Sequence, residues 1–305
     1  MKIRLGTRGS TLATTQSGLV ADALVAAGAE RGLEVTVELV TITTHGDISR
    51  GSLVGLSEVG VFVTALRRSL LAGDCDVIVH SLKDMPTAPA DGLELAAIGE
   101  REDVRDALCA AGRNLAGLPY GARVGTGSPR RAAQLLALRP DLEAVEIRGN
   151  VDTRLGMVGT SLDAVILAAA GLNRLGRGDE ASQLFATTDM LPAPGQGALA
   201  VEIAADAPED LASLVRSLDH APTRAAVTAE RAALAVLDAG CTSPFGACAT
   251  VDGDRLTLTG RVINPKGSLM LTERVTGRAQ DAPALGRACA HALMGRGAAS
   301  LMGAS

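Results

Sequence analysis

Ala122-Arg123-Val124-Gly125-Thr126-Gly127-Ser128-Pro129-Arg130-Arg131 reads as a short strand, a glycine-rich turn and the start of a helix. Ser128 suits the N-cap and Pro129 the first helical position. The first turn then carries two arginines, although the positive end of the helix macrodipole favours Asp or Glu there. An anionic ligand would resolve that conflict, because exposed amides and guanidiniums pointing the same way make an anion receptor, and an arginine fork matches a carboxylate or phosphate with two hydrogen bonds. Two solvated arginines on a surface helix are the plain alternative. Recurrence lowers its weight: Arg148 and Arg154 follow within twenty-five residues of Arg130, again close behind a short apolar run and beside glycine or threonine.

Working outward, the chain alternates strand and helix. Residues 3–6 lead through Thr7-Arg8-Gly9-Ser10 into a helical stretch over 11–27, the βα unit of an open sheet. Residues 34–42 alternate and are β-branched, 62–71 read as a helix, and Asp76-Val77-Ile78-Val79-His80 as a buried strand. Between them, residues 45–60 hold Gly46, Gly51, Gly55 and Gly60 and read as a mobile lid. After a strand over 93–98, the charged run Glu100-Arg101-Glu102-Asp103-Val104-Arg105-Asp106 reads as a hinge, and a second alternating series begins near Ala107. It contains the opening turn, a strand over 144–147 ending at Arg148-Gly149-Asn150, and an apolar strand over 163–169 before Gly171-Leu172-Asn173-Arg174. Three arginine-bearing loops thus follow three strands. Ligands of open α/β sheets sit beyond the carboxyl ends of the strands, so these loops are expected to converge on one crevice. Leu191-Pro192-Ala193-Pro194-Gly195-Gln196-Gly197 is a second break before an apolar strand over 198–203. A helix from Ala221, a strand-rich stretch over 247–274 and a final helix suggest a third, smaller α+β unit.

Composition narrows the function classes. A chain of 305 residues has room for two or three domains, each with its own core. The formal net charge of -5 is not that of a protein built to lie on nucleic acid or an anionic membrane, so the arginine cluster is a local feature. With no Trp, one Tyr and three Phe the chain lacks the stacking platforms of single-strand binders. Neither nucleic acid nor a membrane is expected as a partner. Met1-Lys2-Ile3-Arg4-Leu5-Gly6 runs into a strand without the apolar core of a secretory signal, which predicts a cytoplasmic protein. The longest apolar stretches are about half what a membrane span needs. Cys75, Cys109, Cys241, Cys248 and Cys289 are odd in number and lack paired spacing, so neither a disulfide framework nor a metal site is expected.

Two residues turn a receptor into a candidate enzyme. Asp84 lies in His80-Ser81-Leu82-Lys83-Asp84-Met85-Pro86-Thr87, directly after the most apolar strand of the first half, where a catalytic carboxylate is well placed; a turn former or a partner of Lys83 would sit there too. Cys241 occupies Asp238-Ala239-Gly240-Cys241-Thr242-Ser243-Pro244, a loop after a long helix in which an exposed nucleophilic thiolate is feasible. The other four cysteines read as inert core; Cys109, Cys248 and Cys289 are flanked by apolar or small residues and Cys75 by Asp74 and Asp76.

His80-Ser81-Leu82-Lys83-Asp84, the stretch from Gly125 to Arg131, Arg148-Gly149-Asn150-Val151-Asp152-Thr153-Arg154, residues 191–198 and Gly240-Cys241 together resemble the porphobilinogen deaminase (hydroxymethylbilane synthase) family over nearly the whole chain. The resemblance implies an α/β fold: two periplasmic-binding-protein-like α/β domains, 1–99 with 198–218 and 105–193, plus a small C-terminal α+β domain, 221–305. It implies a monomeric transferase of tetrapyrrole and heme biosynthesis that joins four porphobilinogen molecules head to tail into hydroxymethylbilane and releases ammonia. Cys241 matches the thioether attachment point of a dipyrromethane cofactor, and Asp84 the carboxylate that stabilises an azafulvenium cation. Lys83, Asp84, Ser10, Thr126, Ser128, Arg130, Arg131 and Arg154 match cofactor-binding positions. Arg8, Arg148, Arg154, Arg174, Gln16 and Gln196 match positions for the substrate, whose acetate and propionate arms explain clustered arginines. One departure concerns the lid, where Gly55 and Val59 stand in a region that carries lysines in many members; Phe62 is retained, as core or as cofactor packing. Two rivals remain: a non-catalytic binding module for a small polycarboxylate, and a phosphate-transfer enzyme, the latter weakened because the Gly125 turn lacks the P-loop lysine and spacing.

Overall fold

The computed structural model describes residues 1–42, 58–237 and 244–302, with side chains in the helix that starts at residue 58 described from Val63 onward. The expected lid falls almost wholly outside these residues, as do Cys241 and Gly55; the side chains of Val59 and Phe62 do too.

The first alternating series gives β1 (Lys2–Thr7), β2 (Thr36–Thr41), β3 (Val77–Ser81) and β4 (Leu93–Ile98); the second gives β5 (Asp106–Cys109), β6 (Arg123–Gly125), β7 (Glu143–Val145), β8 (Ala164–Ala168) and the short β9 (Gln183–Leu184). After these come β10 (Leu199–Ala204), β11 (Phe245–Asp252), β12 (Arg255–Ile263) and β13 (Met270–Arg278). Three sheets form among the described residues, in the orders β2-β1-β3-β10-β4, β7-β6-β8-β5-β9 and β11-β12-β13. The fold is α/β in the first two and α+β in the third.

The two five-stranded sheets repeat one plan. β1 is parallel to β2 and β3, while β10 runs antiparallel to β3 and β4. Likewise β6 is parallel to β7 and β8, while β5 runs antiparallel to β8 and β9. In each sheet the reversed fourth strand is the one carried by a crossover segment, β5 on the way into the second sheet and β10 after leaving it. The chain divides into two compact units, Met1–Arg101 with Ala198–Arg224 and Glu102–Gly197 with Ala225–Ser305, the second holding two of the three sheets.

Local sequence explains the elements. Ser10 caps the helix Thr11–Glu30, its Oγ accepting from the Ala13 amide at 3.4 Å. That helix buries Val20 and Leu24 with Ile3, Leu5 and Val77 of the sheet and Leu214 of the helix Glu209–Arg216. In the second sheet Leu108, Ala164 and Ile166 face one cluster with Leu135 and Phe185, while Ala107, Val165 and Leu167 face another with Leu172. Strands covered on both faces read as unbroken apolar runs, as Ala164–Ala168 does. Each large aliphatic side chain buried there contributes roughly 1.5–3 kcal/mol. The third sheet is an antiparallel meander whose Leu256, Leu258 and Val262 pack with Ala229, Ala233, Ala290 and Leu293 of the helices Ala221–Val236 and Ala282–Gly295. Gly286 lets those helices meet, since a Cβ there would lie 2.3 Å from the Ala229 carbonyl oxygen.

Candidate functional site

In the first unit the site begins where strands end. β1 and β3 are parallel neighbours, so Arg8 with Ser10 and the 3-10 turn Leu82–Asp84 emerge from one edge of the sheet. The turn is pinned from both sides: buried Leu82 donates its amide to the Ala198 carbonyl at 3.0 Å, and the Met85 amide bonds the Leu82 carbonyl at 3.1 Å. Gln16 is buried, its Nε2 donating to Ser81 Oγ at 3.1 Å, which ties the first helix to the residue that opens the turn. Below the turn, Arg67 reaches both carboxylate oxygens of buried Glu202, at 2.9 and 2.7 Å, and His80 Nε2 lies 3.1 Å from the same carboxylate. Burial would raise the Glu202 carboxyl, but His80 and Arg67 outweigh it and hold it below its ordinary value. Asp84 itself is half-buried, beside Lys83, and among the described residues it has no hydrogen-bond or ion-pair partner.

In the second unit β6, β7 and β8 are parallel, so the loops carrying Thr126 to Arg131, Arg148 and Arg174 leave one edge of the sheet together. Buried Thr126 accepts from the Ser128 amide through Oγ1 at 3.2 Å. Ser128 and Pro129 open the helix Pro129–Leu138 as the sequence predicts, yet the Ser128 hydroxyl makes no capping bond. Gly127 is required by close approach: a Cβ there would stand 2.7 Å from the Ile147 carbonyl oxygen and 3.9 Å from Arg154 Nη2. Arg154 therefore lies against the glycine turn, on the helix Val151–Leu155 capped by Asn150, whose Oδ1 accepts from Thr153 N at 2.9 Å. Arg174 donates from Nη2 to the Gly197 carbonyl at 2.6 Å; burial lowers its pKa, with Glu102 opposing. Arg148 is largely exposed, 3.5 Å from Glu146. The strand before it ends at Val145, two residues earlier than its apolar sequence suggests.

Arg130 and Arg131 are not solvated surface residues: both are buried, and each is paired inside the chain with Asp106, a partner that the local sequence does not announce. Arg130 Nη1 donates to Asp106 Oδ2 at 2.8 Å and also to the Leu191 carbonyl. Arg131 donates to Oδ1 from Nε at 3.0 Å and from Nη2 at 2.8 Å. Gln196 Nε2 joins them, 2.8 Å from Asp106 Oδ1 and 2.7 Å from the Val104 carbonyl. Burial pushes the Asp106 carboxyl up, but the charges of Arg130 and Arg131 outweigh it and hold it far below the ordinary aspartate range. Burial pushes Arg130 down, with Asp106 opposing. Sequence reasoning missed Asp106 because it closes a charged run that resembles a hinge; the usable signal was an acid directly preceding the apolar residues of β5. Buried Glu230 was missed as well: it accepts from Gly195 N at 2.8 Å and Ala249 N at 2.7 Å, fastening the break before β10 to β11.

Cys75, Cys109 and Cys289 are buried core thiols, each pushed up to about 11 by burial, while Cys248 is half-buried. Among the described residues no cluster of three metal-ligating side chains occurs, and no helix is long and apolar enough to cross a membrane.

Fold and site define a class: an α/β protein with two sheets of one plan, a small α+β unit, and several arginines on the loops that leave one sheet edge. Solved structures similar in fold include the methionine binding protein MetQ (12% identity, 71% of this chain and 89% of that chain, TM-score 0.45) and lipoprotein Tp32 from Treponema pallidum (12%, 71% and 90%, 0.43). Residues 3–212 match the family model described as porphobilinogen deaminase, dipyromethane cofactor binding domain, and residues 224–295 match porphobilinogen deaminase, C-terminal domain. The chain is 54% identical to a porphobilinogen deaminase of Thermobifida fusca (97% of this chain, 94% of the relative) and 47% identical to one of Corynebacterium diphtheriae (99% and 100%). It belongs to the porphobilinogen deaminase family. It is thus an enzyme, a transferase of the hydroxymethylbilane synthase type, and a non-catalytic binding module is not favoured.

The family's cofactor is dipyrromethane, two linked pyrroles with four carboxylate arms. The chemistry of the donor set is compatible with it: the Thr126 and Ser128 hydroxyls and the Arg154 guanidinium beside the Gly127 turn are groups that can hydrogen-bond carboxylates.

Proposed function

We propose that this chain joins four porphobilinogen molecules head to tail into hydroxymethylbilane, with Asp84 as its catalytic carboxylate and Cys241 as the thioether anchor of dipyrromethane. The observation that carries the reading is the state of Asp84: a half-buried carboxylate on a pinned turn, with no partner among the described residues. Loss of ammonia from porphobilinogen leaves a cationic pyrrole. A fixed carboxylate beside it stabilises that charge and accepts from the pyrrole N–H, an effect of a few kcal/mol in a site shielded from water. Arg8, Arg148 and Arg174, with Gln16 and Gln196, bind and orient the acetate and propionate arms of the substrate. Lys83, Ser10, Thr126, Ser128, Arg130, Arg131 and Arg154 hold the cofactor arms. Each charge-assisted bond contributes about 1.5–3 kcal/mol, so several such bonds retain a polyanionic chain. When bound, dipyrromethane would supply a primer with one free pyrrole α-carbon, the end from which the chain is extended. The functional division follows the three sheets: catalysis on 1–99 with 198–218, anion binding on 105–193, and cofactor attachment on 221–305. The reading includes a cytoplasmic monomer; the acidic net charge supports the absence of nucleic-acid or anionic-membrane partners.

Intact mass under denaturing conditions tests the reading. Protein made in cells with ample porphobilinogen is expected to carry a dipyrrole adduct that Cys241→Ser lacks. An unmodified wild-type mass would refute the cofactor assignment.

A further inference from the structure

Arg130, Arg131 and Asp106 form a buried group whose charges do not cancel: two positive guanidiniums face one carboxylate. Two of its neighbours are neutral glutamines, one of which, Gln134, also accepts from Arg261 Nη1 at 3.0 Å. Gln196 donates to Asp106, Gln134 Nε2 donates to the Leu191 carbonyl at 3.0 Å, and Arg131 Nη1 donates to the Ile166 carbonyl at 3.2 Å. Arg130 Nε is buried and makes no hydrogen bond among the described residues. A buried excess charge is costly until a counter-ion arrives, and a buried donor without an acceptor adds to that cost. The Asp106 carboxylate also fixes geometry. It engages Arg131 through both Nε and Nη2 on one oxygen and Arg130 through Nη1 on the other, so neither planar fork can rotate independently.

We infer that Asp106 is the positioning residue of the anion site: its carboxylate, shared by Arg130, Arg131 and Gln196, aligns both guanidiniums and leaves the cluster one positive charge in excess, so that it takes a single ligand carboxylate. Asp106 acts through the arginines and touches no substrate. The inference rests on the proposed function for the identity of the ligand, a cofactor or substrate arm. Gln196, on the break before β10, and Asp106, at the start of β5, also tie the two crossover segments to the same carboxylate, so a change in its charge reaches both.

Full-length wild type, Asp106→Asn and Asp106→Glu are compared by thermal unfolding in sodium chloride and in sodium succinate at equal ionic strength, by the adduct fraction in intact mass, and by KM and kcat for porphobilinogen. Asp106→Asn removes the internal counter-ion, so its Tm is expected to fall in chloride and recover in succinate by several times the shift of wild type, because a ligand that binds only the folded state stabilises it. Its adduct fraction is expected below that of wild type. Asp106→Glu retains the charge but displaces the forks by a methylene. It should respond to succinate as wild type does, while KM rises about threefold or more with a smaller change in kcat, the pattern of lost ground-state and transition-state binding. A purely structural role would lower Tm in both salts alike and leave KM unchanged. A succinate response in Asp106→Asn no larger than wild type's overturns the inference, and so does an unchanged KM in Asp106→Glu, which decides the matter if the Asn variant does not fold. An adduct-free wild type refutes the cofactor reading instead, and the succinate comparison still tests Asp106.

Discussion

Asp84 and Asp106 occupy two sheets of one plan and have opposite fates. Asp84 follows β3 on a 3-10 turn, half-buried and without a partner among the described residues. Asp106 opens β5, fully buried, with two arginines and a glutamine on its oxygens. The first carboxylate is left available to a cation; the second is consumed in holding cations. The same strand order therefore carries two chemistries, and what differs is the residue set at the sheet edge rather than the scaffold. The proposed catalytic role falls to the carboxylate without a partner among the described residues.

The contrast can be broken most sharply at Asp84. Asp84→Asn is expected to lower kcat by about 10²-fold or more, since it removes a fixed charge facing a developing cation. Its unfolding free energy should move by no more than about 0.5 kcal/mol, as no partner is lost. Single-turnover kinetics with a denaturant titration check both, and near-normal kcat would end the assignment.

Arg131→Met should do the reverse, acting first on stability. Breaking a buried pair costs about 3–5 kcal/mol, which denaturant unfolding measures directly. The pH dependence sharpens the point. The folded-state pKa of Asp106 is depressed by its arginines, so its contribution to stability is complete above the unfolded aspartate value of about 3.9 and is lost as pH falls through the lower folded value. Wild type should lose stability below about pH 4 through this group, and Arg131→Met should show a shallower fall. Equal slopes in the two proteins would contradict the pairing.

The smallest effect is expected at Arg148, whose ion pair with Glu146 is exposed. Surface pairs contribute about 0–1 kcal/mol, so Arg148→Lys should leave Tm within measurement error. Chain assembly should nevertheless slow several-fold because the bidentate fork is lost. Unchanged elongation would remove Arg148 from the anion set.

Several features were legible before any coordinates. Ser128-Pro129 marks a helix start because an N-cap and a fixed φ are local demands, and the helix does begin there. Val77–Ser81 and Ala164–Ala168 read as buried strands because a strand covered on both faces has no polar alternation to show. The turn that carries Asp84 could be placed for the same reason, since it directly follows such a strand. Other readings failed where the deciding partner is distant in sequence. Nothing near Arg130 announces that Asp106, twenty-four residues earlier, will pair with it. The charged run from Glu100 to Asp106 looked uniformly like a hinge, yet its last residue is among the most buried in the chain.

The sequence by itself determined the alternation of strands and helices, the glycine turn with its arginines, the position of Asp84 after a buried strand, and the family. The first three depend on neighbours within a few residues, where propensity, capping and periodicity act, and the family on five such motifs in one order along the chain. Only the tertiary structure decided the reversed fourth strand in each sheet, the approach of Gly127 to Ile147 and Arg154, and which aspartate is satisfied. Those outcomes depend on pairing across the sheet and on burial. Burial turns a modest surface attraction into a tightly coupled charge cluster, and no local pattern encodes it.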